Sequence, residues 1–212
     1  MQRLLILGGG TYAVETLDIA EAAGGFEPAG FVNSLEPPLP GDTLAGHPIY
    51  WVDEIPYQPH ECVLVAGIVS TKRRGFVNLM EQRGYVFTTV IHPSAVISRR
   101  ARIGVGCVVN AGVVVSQNTE IGPHAILNRG CLIGHDNRVE PFCTIGPGAN
   151  LAGGLVVGTG VYVGVGAVIR DHVTIGAGAV IGAGAVVVKS VEARTMVAGV
   201  PARVVKTDVE GL

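Results

Sequence analysis

An aliphatic residue stands at every sixth position from Ile91 to Val187, a period that neither a helix nor an ordinary strand possesses. The series runs Ile91, Ile97, Ile103, Val109, Val115, Ile121, Leu127, Ile133, Val139 and on in register through Ile145, Leu151, Val157, Val163, Ile169, Ile175, Ile181 and Val187. Such a chain turns a corner every six residues. Three hexapeptides close a triangular coil whose interior the aliphatic side chains fill, and successive coils stack about 4.8 Å apart as parallel sheet on each face. A single coil cannot bury itself, so the stack must be long, and the series supplies five to six coils. Four places after the aliphatic residue the chain is usually small or β-branched, as at Ala95, Ala101, Cys107, Thr119, Ala125, Cys131, Cys143 and Ala149. Glycine directly follows the aliphatic residue at 104, 122, 134, 146, 158, 164, 176 and 182, where it is expected to relieve backbone strain at the turns.

The six-fold register is missing from residues 1–88. Leu4–Leu7 reads as a strand running into Gly8-Gly9-Gly10-Thr11 and then a helix from about Tyr12 to Ala23. Phe26–Val32 and Cys62–Ile68 read as further strands, Lys72–Arg83 as a helix, and Tyr85–Val90 as a last strand leading into the prism. The pattern predicts a small Rossmann-like α/β domain with a parallel sheet at 1–88, a β-helix at 89–190 and a C-terminal cap and tail at 191–212. The glycine turn is a candidate phosphate cradle, because a helix N-terminus offers free N–H groups; a purely structural turn is the alternative. The second strand ends in Asn33-Ser34 and not in an acidic residue, which disfavours a redox dinucleotide.

Composition sharpens this picture. The 212 residues include 31 Gly, yet no G-x-y triplet repeats and Val, Ile and Leu abound, so the glycine belongs to tight turns and not to disorder or collagen. The formal net charge is -2 and the basic runs, Lys72-Arg73-Arg74 and Arg99-Arg100, are short; they read as solvated surface patches and imply no nucleic-acid partner. Cys62, Cys107, Cys131 and Cys143 form no C-x-x-C pair, and the last three fall on the small inward position, so they read as buried hydrophobes. With no secretory pattern and no long apolar run, a cytoplasmic protein without membrane contact is expected.

Chemistry is expected where polar residues interrupt the prism. Asn110 and Asn128 each follow an aliphatic residue one coil apart, and read either as a ladder satisfying turn backbone or as groups holding an acceptor. In Ile133-Gly134-His135-Asp136 the histidine lies two places after an inward residue and should point outward. It is a candidate general base, Asp136 is placed to orient its imidazole, and Gly153, one coil on, is a candidate N–H donor to a thioester carbonyl. His124, His135 and His172 share no column, so no metal site is expected.

With these motifs the whole chain resembles the sugar acyltransferase family of sialic acid O-acetyltransferases and bacterial nucleotide-aminosugar N-acetyltransferases. The resemblance is carried by Gly8–Ala13, Gly30-Phe31-Val32, Ile91-His92-Pro93-Ser94-Ala95, Asn128 with Ile133–Asp136, and Ala198-Gly199-Val200-Pro201-Ala202. It implies a left-handed parallel β-helix, although the usual crossover rule would give the opposite hand. It further implies a homotrimer that uses acetyl-CoA as co-substrate and acylates an amino or hydroxyl group of a sugar nucleotide, such as a UDP- or other NDP-4-amino sugar. His135 matches the family base and Asp136 its helper. Gly10, Thr11, Tyr12, Asn33, Ser34 and Gly67 match the nucleotide site, with Asn128 at the acceptor. Thr144, Val165 and Ala183 match the CoA groove.

Two positions depart from the family. Tyr12 replaces a histidine in the first turn, and Thr144 stands where a second histidine is common. The bulkier ring at 12 is expected to alter or abolish uridine nucleotide binding. An acceptor without a nucleotide, such as a free sugar or amino acid, is therefore the alternative, and a non-catalytic or metal-binding trimer a more distant one.

Overall fold

In the computed structural model, which describes residues 1–212, a small mixed sheet with helices precedes a left-handed prism of stacked coils. The first part contains β1 (Gln2–Leu7), α1 (Thr11–Ala23), β2 (Phe26–Asn33), β3 (Thr43–Leu44), β4 (His47–Trp51), β5 (Val63–Ala66), a 3-10 turn at Thr71–Arg73 and α2 (Arg74–Gln82). The sheet order is β3-β4-β2-β1-β5. Central β1 pairs in parallel with β2 and β5, and β4 pairs in parallel with β2. As an inner parallel strand must, β1 buries both faces, with Leu4, Leu5, Ile6 and Leu7 at 0–1% exposure.

The sheet differs from its sequence reading in two places. An antiparallel hairpin, β3–β4, forms the edge around Ala45 (φ 49°) and Gly46 (φ 80°). Two left-handed residues make a tight hairpin turn, but alanine is an unusual choice there and hides the signal. Residues 85–89 form no strand. Leu64 exchanges hydrogen bonds with Val86 and Thr88 at a single bridge, and the chain then leaves for the prism, which opens at Val90–Ile91.

Each prism strand is two residues long and pairs in parallel with the strand one coil later, as Val90–Ile91 with Val108–Val109. The first face runs from Val90–Ile91 to Val180–Ile181 and is extended by Met196–Gly199 and the antiparallel Ala202–Lys206. The second runs from Val96–Ile97 to Val186–Val187, the third from Arg102–Ile103 to Thr174–Ile175. The inward aliphatics and the small residues beside them form one continuous core, in which Cys107, Cys131 and Cys143 are fully buried. Burial pushes these thiols up to about 11 for Cys107 and about 12 for the other two, which leaves them inert.

The outward residues give each face a different fate. On the first, Val90, Val108 and Ile126 pack against α1 and β1 in one apolar cluster. Along the second, Val96, Val114, Leu132, Val168 and Val186 make an apolar stripe broken only by Asn150, with Val96 63%, Leu132 41% and Val168 42% exposed. The third carries Arg102, Glu120 and Arg138, with Arg102 and Glu120 paired at 2.9 Å.

The run Lys72-Arg73-Arg74 is a surface patch only in part, since Lys72 and Arg74 are exposed and Arg73 is not. Arg73 is 2% exposed at the seam between the two parts, where its guanidinium donates to the carbonyls of His124 (2.7 and 3.2 Å) and Cys143 (2.9 Å). Beside it His124 is stacked on Phe142 and edge-on to Phe87.

The glycines that follow the aliphatic residues also have a different role from the one expected. None of them has a positive φ; the left-handed positions lie two residues further on, at Gly106, Gly112, Gly130, Gly148 and Gly154 and at Asn118, His124, Asp136, Phe142 and His172. Glycine is required after the aliphatic residue for clearance. A Cβ at Gly122 would lie 2.6 Å from the Pro141 nitrogen, and one at Gly134 2.6 Å from the Ala152 carbonyl oxygen, both in the next coil. Gly122→Ala is therefore expected to cost about 3 kcal/mol by forcing coils apart, whereas Gly130→Ala, in open space at φ +62°, costs about 1 kcal/mol. Chemical denaturation of both variants measures this, and equal costs would mean that conformation and not clearance selects the glycines.

Candidate active site

The second residue after each inward aliphatic forms the tip of a corner, and its N–H takes no part in the ladder between coils. Four prolines, Pro93, Pro123, Pro141 and Pro147, occupy this slot without loss. His135 and Gly153 occupy it one coil apart, on the corner between the second and third faces. Flanking ladder bonds run from Ala152 N–H to Ile169 O (3.0 Å) and from Gly154 N–H to His135 O (2.9 Å), leaving the Gly153 N–H free. The imidazole lies across Gly153: a Cβ there would meet its Cε1 at 2.7 Å and Nε2 at 2.8 Å.

Asp136 takes the left-handed slot (φ 55°), which turns its carboxylate back onto the ring. The His135 Nδ1 to Asp136 Oδ2 distance is 2.6 Å, and Asn118 Nδ2, one coil earlier, donates to Oδ1 at 3.0 Å. These hydrogen bonds, the one from His135 foremost, hold the Asp136 carboxyl below its usual range. An ionised carboxylate at Nδ1 fixes the proton on that nitrogen and leaves Nε2 as the basic atom. Both side chains are more than half exposed.

Two buried polar residues support the pair from inside the prism. Asn137, 2% exposed, donates to the Gly134 carbonyl (3.0 Å) and the Ala152 carbonyl (2.8 Å) and accepts from Leu155 N–H (2.7 Å). Thr119 donates to the Gly134 carbonyl at 2.7 Å. Together they fix the peptides leading into His135 and Gly153. Asn137 and Asn118 are absent from the residues chosen by sequence, although a signal existed for the first: it is an asparagine in the inward small position between Cys131 and Cys143.

A second constellation surrounds a cavity of about 330 Å³ beyond the carboxyl ends of β1, β2 and β5. Gly10, Thr11, Tyr12, Asn33, Ser34 and Gly67, all expected at a nucleotide, line it together with Ile68, Val69 and Phe76. Gly8 (φ +119°) makes the turn, and Gly67 lets β5 approach α1, since a Cβ would lie 2.8 Å from Ala13 Cα. A Cβ on Gly10 would meet nothing within 4 Å. Asn33 is committed to its own turn, donating to the Glu36 carbonyl (3.0 Å) and accepting from Leu35 N–H (3.2 Å).

The remaining expected residues divide. The Tyr12 ring packs in the cluster between α1 and the first prism face, and its hydroxyl accepts from Asn110 Nδ2 at 3.0 Å, so the phenol is tied to the prism and not stretched across the cavity. Asn110 also donates to the Leu127 carbonyl (3.3 Å), and Asn128 accepts from Arg129 N–H (2.9 Å), so the two asparagines do satisfy corner backbone. Arg129 in turn pairs with Glu15 of α1. Val165 and Ala183 are exposed one coil apart on the corner between the first and second faces. Thr144 does not join them. It faces outward on the first face, is fully buried there, and spends its hydroxyl on the Val69 carbonyl (2.9 Å) and Arg73 Nη1 (2.9 Å). Because 67–73 covers that face, Thr144 belongs to the seam and lines no groove.

Within one chain the cradle's walls contact the first face at Thr144, through the Val69 carbonyl, and the corner between the first and second faces at Asn110, through Tyr12, whereas His135 stands at the far edge of the second face. No three His, Cys, Asp or Glu side chains converge to hold a metal ion.

No family model matches the chain, and no curated protein matches it. Among solved structures, PerB from Caulobacter crescentus, in complex with CoA and GDP-perosamine, is 32% identical with a TM-score of 0.87, over 97% of this chain and 98% of that one. The acetyltransferase domain of PglB from Neisseria gonorrhoeae is 28% identical (TM-score 0.88), over 97% of this chain and 100% of that one. WeeI from Acinetobacter baumannii is 26% identical (TM-score 0.86), with the same coverage. A left-handed hexapeptide prism behind a small glycine-turn domain thus defines the class. The chain belongs to the hexapeptide-repeat left-handed β-helix acetyltransferase family that contains the perosamine N-acetyltransferase PerB.

Asn137→Ala should leave two buried backbone groups, the Ala152 carbonyl and the Leu155 N–H, unpaired and lower stability by about 2–4 kcal/mol. Denaturation measures this, and a loss below about 0.5 kcal/mol would show that the corner does not depend on Asn137.

Proposed function

We propose that this chain is an acetyl-CoA-dependent N-acetyltransferase acting on the amine of a nucleotide-linked sugar. The observation that carries the reading is the His135–Asp136 pair lying against the free N–H of Gly153. Acetyl-CoA supplies an acyl carbonyl activated as a thioester. His135 Nε2 takes the proton of the sugar amine as its nitrogen bonds to that carbonyl carbon. Gly153 N–H donates to the carbonyl oxygen as it gains negative charge. The carbon–sulfur bond then breaks, and His135 returns its proton to the departing CoA sulfur. Asp136, ionised throughout, stabilises the imidazolium between the two transfers. The glycine cradle is the place for the nucleotide, a reading supported by the GDP-perosamine and CoA that PerB binds.

A trimer completes this site. The apolar stripe on the second face lies between the two functional corners. Three copies packed around that stripe bring the corner of Val165, Ala183 and the cradle against a neighbour's His135, and CoA lies between them.

His135→Ala should reduce kcat about a thousandfold while acetyl-CoA binding by calorimetry stays unchanged; undiminished turnover of the amino-sugar nucleotide would remove His135 from the mechanism. Leu132→Asp should place a charge on the stripe, yield monomers in sedimentation and abolish activity without unfolding the prism. A trimer that survives this change would put the contact on another face.

A further inference from the structure

Arg73 is a buried cation without a counter-ion. Its acceptors are all neutral: the carbonyls of His124, Cys143, Ser70 (3.0 Å) and Val69 (3.3 Å), and the Thr144 hydroxyl. No carboxylate pairs with it. Glu81 of α2 reaches His124 Nε2 at 3.4 Å instead, and the terminal Leu212 oxygen accepts from Ser70 Oγ (2.6 Å) and Thr71 N–H (2.6 Å), not from Arg73. Burial lowers the guanidinium to about 10, so it remains charged at neutral pH with its charge poorly compensated. Keeping such a charge from water is costly unless an anion answers it, and neutral hydrogen bonds answer it only in part.

The missing anion has a place. Val69, whose carbonyl accepts from both Arg73 and Thr144, is itself a wall of the glycine cradle. The residues lining that cavity carry no charged side chain, and the first turn of α1, which opens at Gly10, contains no acidic residue. Behind the Tyr12 side of the wall Glu15 and Arg129 answer each other as an ion pair, so the unpaired formal charge behind it is the Arg73 guanidinium, held in a poorly screened setting.

We infer that Arg73, acting through the pocket wall and without touching the ligand, makes the cradle selective for an anionic nucleotide, a diphosphate over the corresponding nucleoside. This rests on the reading of the cradle as the nucleotide site. Arg73 is a positioning residue in that it fixes 69–70, and an electrostatic one in that its charge favours the phosphates. Thr144 shares only the first role, since it bonds the same carbonyl and carries no charge.

The test compares calorimetric affinities of the full chain for UDP and uridine, and for GDP and guanosine. In the wild type the preferred diphosphate should bind well above its nucleoside, and the preference should persist in 0.5 M salt, because a buried charge is weakly screened. Arg73→Gln should cut the diphosphate-to-nucleoside ratio roughly tenfold. Thr144→Val should lower the melting temperature and leave the ratio unchanged. An unchanged ratio in Arg73→Gln, or an equal fall in Thr144→Val, overturns the inference and leaves the cradle reading intact. If Arg73→Gln does not fold, the wild-type salt series decides, and a preference that vanishes in 0.5 M salt overturns it. Gly10→Val, which adds bulk at the cavity wall, should abolish binding of every probe. Failure of wild type to bind any nucleotide, or unimpaired binding by Gly10→Val, overturns the cradle reading and this inference together.

Discussion

The parallel ladder between successive coils is the constraint on which the rest of the molecule depends. Each two-residue strand donates to and accepts from strands one coil away, so a residue's neighbours are set by counting and not by local conformation. The ladder lays His135 over Gly153, sets Asn118 against Asp136, and carries Asn110 to the Leu127 carbonyl. The same close spacing excludes a Cβ after many of the inward aliphatics, where the next backbone is under 3 Å from where it would lie. Structural glycine and site geometry therefore have one cause.

Within that ladder the corner assigns roles by slot. The inward slots are closed to change because they fill the core. The left-handed slot admits glycine, asparagine, aspartate or histidine, residues that tolerate this conformation better than most, and also Phe142 and Arg194. The tip slot needs no N–H and accepts proline as readily as histidine. The His135–Asp136 pair occupies the tip and left-handed slots, where packing makes no demand on side-chain identity. Its precision comes from beneath, where Asn137 and Thr119 replace small inward residues and hold the peptides that present it.

Period alone made the prism, the inward cysteines and the stacking of His135 on Gly153 legible, because each follows from counting along one chain. The glycine turn and the residues at the ends of β1, β2 and β5 were legible for a similar reason: a parallel sheet gathers its carboxyl-terminal loops on one side. What could not be counted was which prism face the first part covers. Thr144 has the same outward register as Asn150 and Val156, yet it is sealed at a seam while those two are exposed. Arg73 failed to stand out for the complementary reason. In a run of three basic residues it is the one turned inward, and the carbonyls that receive it come from coils 51 to 70 residues away. Tyr12 shows the limit for substitution as well, since its size pointed toward the cavity and its hydroxyl found Asn110, 98 residues distant.

One repeat thus generates three unlike surfaces, and the difference lies entirely in the residue before each inward aliphatic. Valine and isoleucine at 90, 108 and 126 suit a face that α1 covers. Arginine and glutamate at 102, 120 and 138 suit one left to water. The face between the two functional corners keeps Val96, Leu132 and Val168 exposed in a single chain, and such a contiguous apolar stripe is what an interface retains and a free surface sheds. Its position matters more than its area. In the proposed trimer, packing around that face would let the cradle of one copy meet His135 of another, so the hydrophobic pattern that would sustain assembly and the chemistry that would need it stand on adjoining edges of the same prism. In that assembly the outward register would be under two demands at once, and a substitution on the stripe would disturb the site without touching any residue in it.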